Sequence, residues 1–178
     1  TGDIAALLLP RVGAKGRIVI ADINGDMLRV GRDRMIDRGL LRGLDYTQVD
    51  AEALPFPDQS FDCVTMAFGL RNVTRKENAL SEIHRVLKVG GRALVLEFST
   101  VREPLLKPLF DFHSFSVLPR IGRLIAGDEA SYRYLAESIR KHPDQATLKT
   151  MMEAAGLARV DVRNLSAGIV AIHRGYRI

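Results

Sequence analysis

Two acidic residues that close short apolar runs are the chemically informative positions of this sequence. Asp22 follows Arg17-Ile18-Val19-Ile20-Ala21, a β-branched stretch that reads as a buried parallel strand. A carboxylate at such a strand end can accept hydrogen bonds from both hydroxyls of a ribose. The alternative is a capping role for the helix starting at Asn24, and the residue types alone leave both open. Asp50 closes a second short strand, Tyr46 to Val49, in the same way. Its carboxylate can accept from an adenine amino group while the Ala51 N–H donates to a ring nitrogen; a plain turn is the alternative. Thr1-Gly2-Asp3 resembles the tail of a glycine-rich loop opening a helix, whose N–H groups would face a ligand's polar end. The histidines, His84, His113, His142 and His173, show no ligand spacing, so no metal is expected. Cys63 is the single cysteine and reads as a buried strand thiol without a disulfide partner.

The elements that must position these acids alternate along the chain. After the first strand, Asn24 can cap a helix running to about Arg38, with Met27, Val30 and Met35 on one side and Gly39 as its stop. Pro55-Phe56-Pro57-Asp58-Gln59 is a turn before a third buried strand, Phe61 to Met66. A helix from about Arg75 to Leu87 stops at Gly90-Gly91, and Arg92 to Phe98 is a fourth strand. Residues 102–127 are apolar, basic and proline-punctuated; residues 131–141 look helical. His142-Pro143 breaks that helix, and Asp144 or Thr147 opens another ending at Gly156. Val160 to Leu165 and Ile169 to Arg177 alternate as a terminal antiparallel pair. Strand–helix–strand alternation with buried strands implies an open, mostly parallel sheet, which binds its ligands at the carboxyl ends of the strands. That edge would carry Asp22, Asp50 and the Ala67-Phe68-Gly69 loop. NAD-type dehydrogenases share the acid-after-strand geometry, so this pattern alone does not choose the cofactor.

Composition bounds the reading without deciding it. The 178 residues fit one α/β domain; 47% are hydrophobic, enough for a core, and 26% are charged. No apolar run approaches the roughly 18–20 residues of a membrane span, and Thr1-Gly2-Asp3 does not begin a secretory signal. The net charge of +5 suggests attraction to something anionic, nucleic acid or a membrane surface. The basic residues are dispersed, with no concentrated arm and no base-gripping Asn-Pro-Pro-Tyr-like motif, which argues against nucleic acid.

Longer stretches carry a family resemblance. They are ADINGDML, DAEALPFPDQSFDCVTMAFGLRNV, EIHRVLKVGGRALVLEFS, LPRIGRLIAGDEASYRYLAESIRKHPDQATLKTMMEAAGL and LSAGIVAIHRGYRI. Through them the chain resembles, from Thr1 to Ile178, the ubiquinone/menaquinone biosynthesis C-methyltransferases, with FGLRNV and SYRYLAESI the most family-specific pieces. The resemblance implies an α/β fold of the class I S-adenosylmethionine-dependent methyltransferase (Rossmann-like) type, with a mostly parallel sheet and a C-terminal antiparallel strand. It implies one methyltransferase domain over 1–178 with a substrate-side insertion at about 102–142. It also implies a further segment upstream, carrying a first strand, leading glycines and lid helices, so that the chain reads as N-terminally truncated. The implied reaction moves a methyl group from S-adenosyl-L-methionine to a ring carbon of demethylmenaquinol or 2-methoxy-6-polyprenyl-1,4-benzoquinol. Alternatives are a non-catalytic scaffold subunit of the same fold in a quinone-synthesis complex, and a methyltransferase for another small lipid acceptor.

The resemblance further implies a cofactor role at Thr1, Gly2, Asp3, Asp22, Ile23, Asp50, Ala51 and Ala67. Relatives can carry serine at position 67, so Ala67 offers only backbone contacts there. A hydroquinol carbon becomes nucleophilic as its hydroxyl loses a proton. Arg71 is assigned to stabilise the developing phenolate or orient a water, and Asn72 to position the quinol oxygen; an ion pair with a nearby acid is the alternative for Arg71. Phe68, Tyr132, Tyr134 and His142 are assigned to the substrate side, although His142 before Pro143 also suits a simple helix terminator. Leu105 to Ile125, with Phe110, Phe112, Phe115 and Leu118, could guide a polyprenyl tail but reads better as core. Lys107, Arg120 and Arg123 beside it suit an anionic membrane surface. Expected partners are the polyprenyl quinol, that surface, and a second copy of the chain or a quinone-synthesis complex. The expected location is the cytoplasm at the inner membrane, or the mitochondrial matrix side in a eukaryote.

Overall fold

The structure, a computed structural model, describes residues 2–13, 15–99 and 129–178. The prenyl-guide and basic segments expected between 102 and 127 therefore lie outside the described residues, as does Thr1. The chain divides into two units, Thr1–Pro55 and Phe56–Ile178.

In the first unit, helix α1 (Asp3–Val12) precedes strand β1 (Ile18–Asp22), helix α2 (Gly25–Asp37) and strand β2 (Leu44–Gln48). β1 and β2 pair in parallel, Ile18 opposite Leu44 and Asp22 opposite Gln48. The capping expected at Asn24 is present: its Oδ1 accepts from the N–H groups of Asp26 at 2.9 Å and Met27 at 3.2 Å, satisfying two donors of the first turn. The stop at Gly39 is also present. Gly39 adopts φ 70°, its N–H donates to Ile36 O, and the Leu40 N–H reaches back to Met35 O at 2.8 Å. That is a Schellman closure, which a left-handed residue makes possible and glycine adopts without a Cβ clash. The buried face of α2 is Leu28, Gly31 and Met35, while Met27 and Val30 are exposed, so only Met35 of the expected apolar side is inward. β1 is half-buried rather than buried, since among the described residues it is paired along one edge only.

The second unit runs β3 (Phe61–Ala67), a single 3-10 turn (Leu70–Asn72), α3 (Lys76–Val86), β4 (Leu87–Phe98), α4 (Glu129–Lys141), α5 (Gln145–Ala154), β5 (Ala158–Leu165) and β6 (Val170–Tyr176). Its sheet has the order β3-β4-β6-β5. β3 and β4 are parallel; the terminal pair β5–β6 is antiparallel, and β6 also runs antiparallel to β4. Val95 faces His173 across the β4–β6 ladder, Ala93 faces Gly175 and Glu97 faces Ala171, and all six are buried on one sheet face. Leu148 and Met152 of α5, with Leu80, Ile83 and Val86 of α3, complete that core. Each such side chain contributes roughly 1.5–3 kcal/mol by leaving water. Gly175 fits because nothing larger would: a Cβ there would stand 3.0 Å from Leu157 Cβ and 3.2 Å from Val160 Cγ2. Cys63 is half-buried in β3.

Helix α3 ends before the glycines expected to stop it. Leu87 has already turned to φ −72°, ψ 138°, and the strand begins there. The cause is tertiary. Arg177 Nη1 donates to the carbonyls of His84 at 3.0 Å, Arg85 at 2.7 Å and Leu87 at 3.0 Å, so a cation from the chain's far end satisfies the acceptors the helix leaves open. Asp144 caps α5 through Thr147 N–H at 2.8 Å. Replacing Arg177 with methionine keeps the aliphatic stem and removes this cap. We expect a loss of about 1–3 kcal/mol, read as a lower denaturant midpoint at unchanged slope in equilibrium unfolding.

Candidate active site

Parallel pairing brings the two strand-end acids of the first unit to one edge. Asp22 lies opposite Gln48, and Asp50 follows two residues later. The Val49 N–H donates to Asp22 O at 3.0 Å, and Gln48 Nε2 donates to Ile23 O at 2.9 Å, tying the two strand ends together. Each carboxylate closes a local turn with one oxygen. Asp22 Oδ1 accepts from the Asn24 N–H at 2.9 Å, and Asp50 Oδ1 accepts from the Glu52 N–H at 2.8 Å. The capping and turn alternatives are thus both realised, yet each leaves its Oδ2 without a described protein partner. Beside Asp22, Ile23 is 66% exposed, an apolar surface next to a carboxylate. Ala51 is half-buried. These groups fit a nucleoside, which offers hydroxyl and amino donors and a flat ring. Gly2 opens α1 at φ 85°. The Asp3 carboxylate is engaged by Arg38 at 3.0 Å and Arg34 at 3.9 Å, pinning the start of α1 to the end of α2.

In the second unit, Ala67 ends β3 and Phe68 follows at φ 55°. A bulky residue in the left-handed region is strained by an amount on the order of 1–3 kcal/mol and persists only where its surroundings over-determine it. Here they do. The Phe68 N–H donates to Leu96 O at 2.8 Å, and its carbonyl accepts from Arg71 Nη1. Its ring leans on Phe98 with centroids 4.9 Å apart. Arg71 Cζ lies 5.3 Å from the Phe98 ring centroid and 5.9 Å from that of Phe68.

The acid that holds Arg71 is Glu97, 1% exposed at the end of β4. Its Oε1 accepts from Arg71 Nη1 at 2.9 Å and from the Phe98 N–H at 2.9 Å; its Oε2 accepts from the Arg71 N–H at 3.2 Å. The ion-pair alternative for Arg71 is therefore present, and sequence reasoning missed its partner. The signal was there: Glu97 is the one acid in the apolar run Ala93-Leu94-Val95-Leu96-Glu97-Phe98. Asn72 and Tyr134, assigned separately, meet: Tyr134 Oη donates to Asn72 Oδ1 at 3.0 Å, and both are exposed. The Tyr132 side chain lies outside the described residues.

His142 ends α4 at 8% exposure with neither ring nitrogen bonded to a protein group. Burial first, then the charges of Lys76, His173 and Arg71, push its imidazole down to about 4. Burial lowers His173 as well, against the Gln145 carbonyl its Nε2 meets at 3.0 Å. Among the described residues no cluster of His, Cys, Asp or Glu could hold a metal ion.

The fold is that of S-adenosylmethionine-dependent methyltransferases. A solved methyltransferase of that kind from Aquifex aeolicus matches with a TM-score of 0.71 at 17% identity, over 99% of this chain and 77% of its own. The [4+2]-cyclase SpnF matches with a TM-score of 0.70 at 19% identity, over 97% and 69%. Sequence gives the family directly: residues 1–177 match the model of the ubiE/COQ5 methyltransferase family, and the chain belongs to that family. Two relatives carry the name ubiquinone/menaquinone biosynthesis C-methyltransferase UbiE. The one from Xylella fastidiosa (strain 9a5c) is 67% identical over 177 residues, 99% of this chain and 70% of the relative. The one from Xanthomonas oryzae pv. oryzae (strain MAFF 311018) is 64% identical over 178 residues, 100% and 70%.

His142 gives a pH dependence of known sign. Its unfolded imidazole titrates near 6.5 and its folded one near 4, so the folded state binds the proton more weakly. The stability this confers is full above pH ~6.5 and is lost as pH falls toward ~4, a change on the order of 3 kcal/mol. Equilibrium unfolding across that range should show a steep decline that His142→Leu flattens; an equal slope in the variant would contradict the assignment.

Proposed function

We propose that this protein transfers the methyl group of S-adenosyl-L-methionine to a ring carbon of a polyprenyl quinol, demethylmenaquinol or 2-methoxy-6-polyprenyl-1,4-benzoquinol, in menaquinone or ubiquinone biosynthesis. The observation that carries the reading is the 67% identity over 177 residues to a relative named for that C-methylation. The strand-edge acids support the cofactor: Asp22 would accept from the ribose hydroxyls, Asp50 from the adenine amino group, with the Ala51 N–H on a ring nitrogen and Ile23 against the ring. Thr1, Gly2 and Ala67 would contribute backbone contacts. Asp3 would hold α1 in place through its arginines.

Bound there, S-adenosyl-L-methionine supplies a methyl already activated by a sulfonium. The chain's own part is alignment and charge. The quinol hydroxyl would give its proton to water. The ring carbon would take the methyl as the sulfur–carbon bond breaks and leaves a neutral thioether, and the proton on that carbon would pass to water as the ring regains aromaticity. The negative charge on the quinol oxygen must be stabilised on the way. Arg71 would provide that positive field at the end of β3, half-buried where charge is weakly screened. Asn72, its amide oriented by Tyr134, would hold the quinol oxygen, and Phe68 would offer its exposed ring to the acceptor. Tyr132 and His142 complete the substrate side of the proposal; His142, neutral at pH 7, would border the loop without adding charge.

Among the described residues no helix is long and apolar enough to cross a membrane. The net charge of +5 supports peripheral attachment to anionic lipid, where a polyprenyl substrate resides. Flotation with phosphatidylglycerol vesicles should carry the intact protein upward at low salt and release it at high salt; protein that stays wholly in the soluble fraction counts against attachment.

Incubation with a short-chain demethylmenaquinol or benzoquinol and methyl-labelled cofactor should place the label on ring carbon by mass spectrometry. Label on neither quinol overturns the reading. Asp22→Asn can keep the turn to Asn24 while losing the charge, and should weaken cofactor binding about 10–100-fold by calorimetry. Arg71→Ala should lower turnover far more than cofactor affinity; an unchanged rate removes Arg71 from the mechanism.

A further inference from the structure

A carboxylate 1% exposed is costly unless paired, and Glu97 is paired more completely than a stabilising ion pair requires. Its two oxygens take three N–H donors, two of them from one residue. Oε2 holds the Arg71 backbone and Oε1 holds the Arg71 guanidinium, so both ends of a long, flexible side chain are fixed by one group. The same Arg71 Nη1 bonds the carbonyl of Phe68, the strained residue of the loop. Oε1 also takes the N–H of Phe98, whose ring supports Phe68 and lies under the guanidinium. Removing the Glu97 charge would thus free the arginine, the strained turn and the aromatic ring together. Among the described residues Arg71 Nε is buried with no protein acceptor, and Glu97 is the one carboxylate that meets the guanidinium.

We propose that Glu97 is a positioning residue of the methyl transfer: it sets the Arg71 guanidinium and the Phe68 turn at the place where the phenolic oxygen of the acceptor becomes anionic. It touches neither cofactor nor acceptor and acts through Arg71, so the inference rests on the role proposed above for Arg71. A side chain fixed before the acceptor arrives loses no rotamer freedom as charge develops, and the benefit falls on turnover rather than on binding.

The test compares Glu97→Gln, Glu97→Asp, Arg71→Ala and the double variant Arg71→Ala/Glu97→Gln in the intact protein. Rates are referred to cofactor-binding sites counted by calorimetry, which removes any misfolded fraction. Glu97→Gln should lower kcat about 10-fold or more, with KM for the quinol and cofactor affinity within about twofold. Glu97→Asp keeps the charge but withdraws it by one methylene, and should also lower kcat; it carries the test by the same criteria if the glutamine variant fails to fold. The double variant should be no slower than Arg71→Ala, because the two residues act as one unit. If Arg71→Ala is impaired while the foldable Glu97 variants keep wild-type kcat, or if the losses multiply in the double variant, the positioning role is overturned and Arg71 stands alone. If Arg71→Ala turns over normally, the Arg71 reading fails and the inference falls with it.

Discussion

The buried carboxylate of Glu97 is the constraint around which the strand ends of β3 and β4 in the second unit are arranged. A carboxyl group at 1% exposure must find compensating partners, and three N–H groups supply them. Meeting that requirement fixes the course of the chain after β3. The 3-10 turn at Leu70–Asn72 places the Arg71 N–H over Oε2, and the arginine then curls back so that Nη1 meets both Oε1 and the Phe68 carbonyl. Phe68 at φ 55° is held by this closure rather than by its own preference. A stabilising pair could have been replaced by packed hydrocarbon at little cost. A charge kept at a strand end in an otherwise apolar run is better explained by what it orients.

A different device orders the acids of the first unit. Neither Asp22 nor Asp50 is buried by the core; each is placed by strand register and fixed by its own Asx turn. Register is the stronger control, because a slip of one residue along β2 would turn Asp50 to the opposite face. The turn bonds use one oxygen of each carboxylate.

The fold shared with a [4+2]-cyclase shows how little the scaffold decides about the reaction. What distinguishes one such protein from another is the loop chemistry at the strand ends. Here the loop after β3 carries an arginine braced by a buried acid and an amide braced by a tyrosine hydroxyl. Burial, with neighbouring positive charge second, lowers His142, and burial lowers His173 against the Gln145 carbonyl.

The sequence by itself determined the elements, their alternation and the strand-end position of both acids, since those follow from local periodicity, caps and turns read over a few residues. The Asn24 cap and the Gly39 stop stand where residue type puts them, Asp144 is the one of the two candidate caps, Asp144 or Thr147, that the fold uses, and the family is legible in FGLRNV and its flanking stretches. Only tertiary structure could decide what lies far apart in the chain. Arg177 ends α3 from 90 to 93 residues away, Leu28 rather than Met27 faces inward, Tyr134 meets Asn72, and Glu97 captures Arg71. A side chain's charge is written in the sequence, but its burial and its partner are not, and burial together with partner decides whether that charge binds, braces or catalyses.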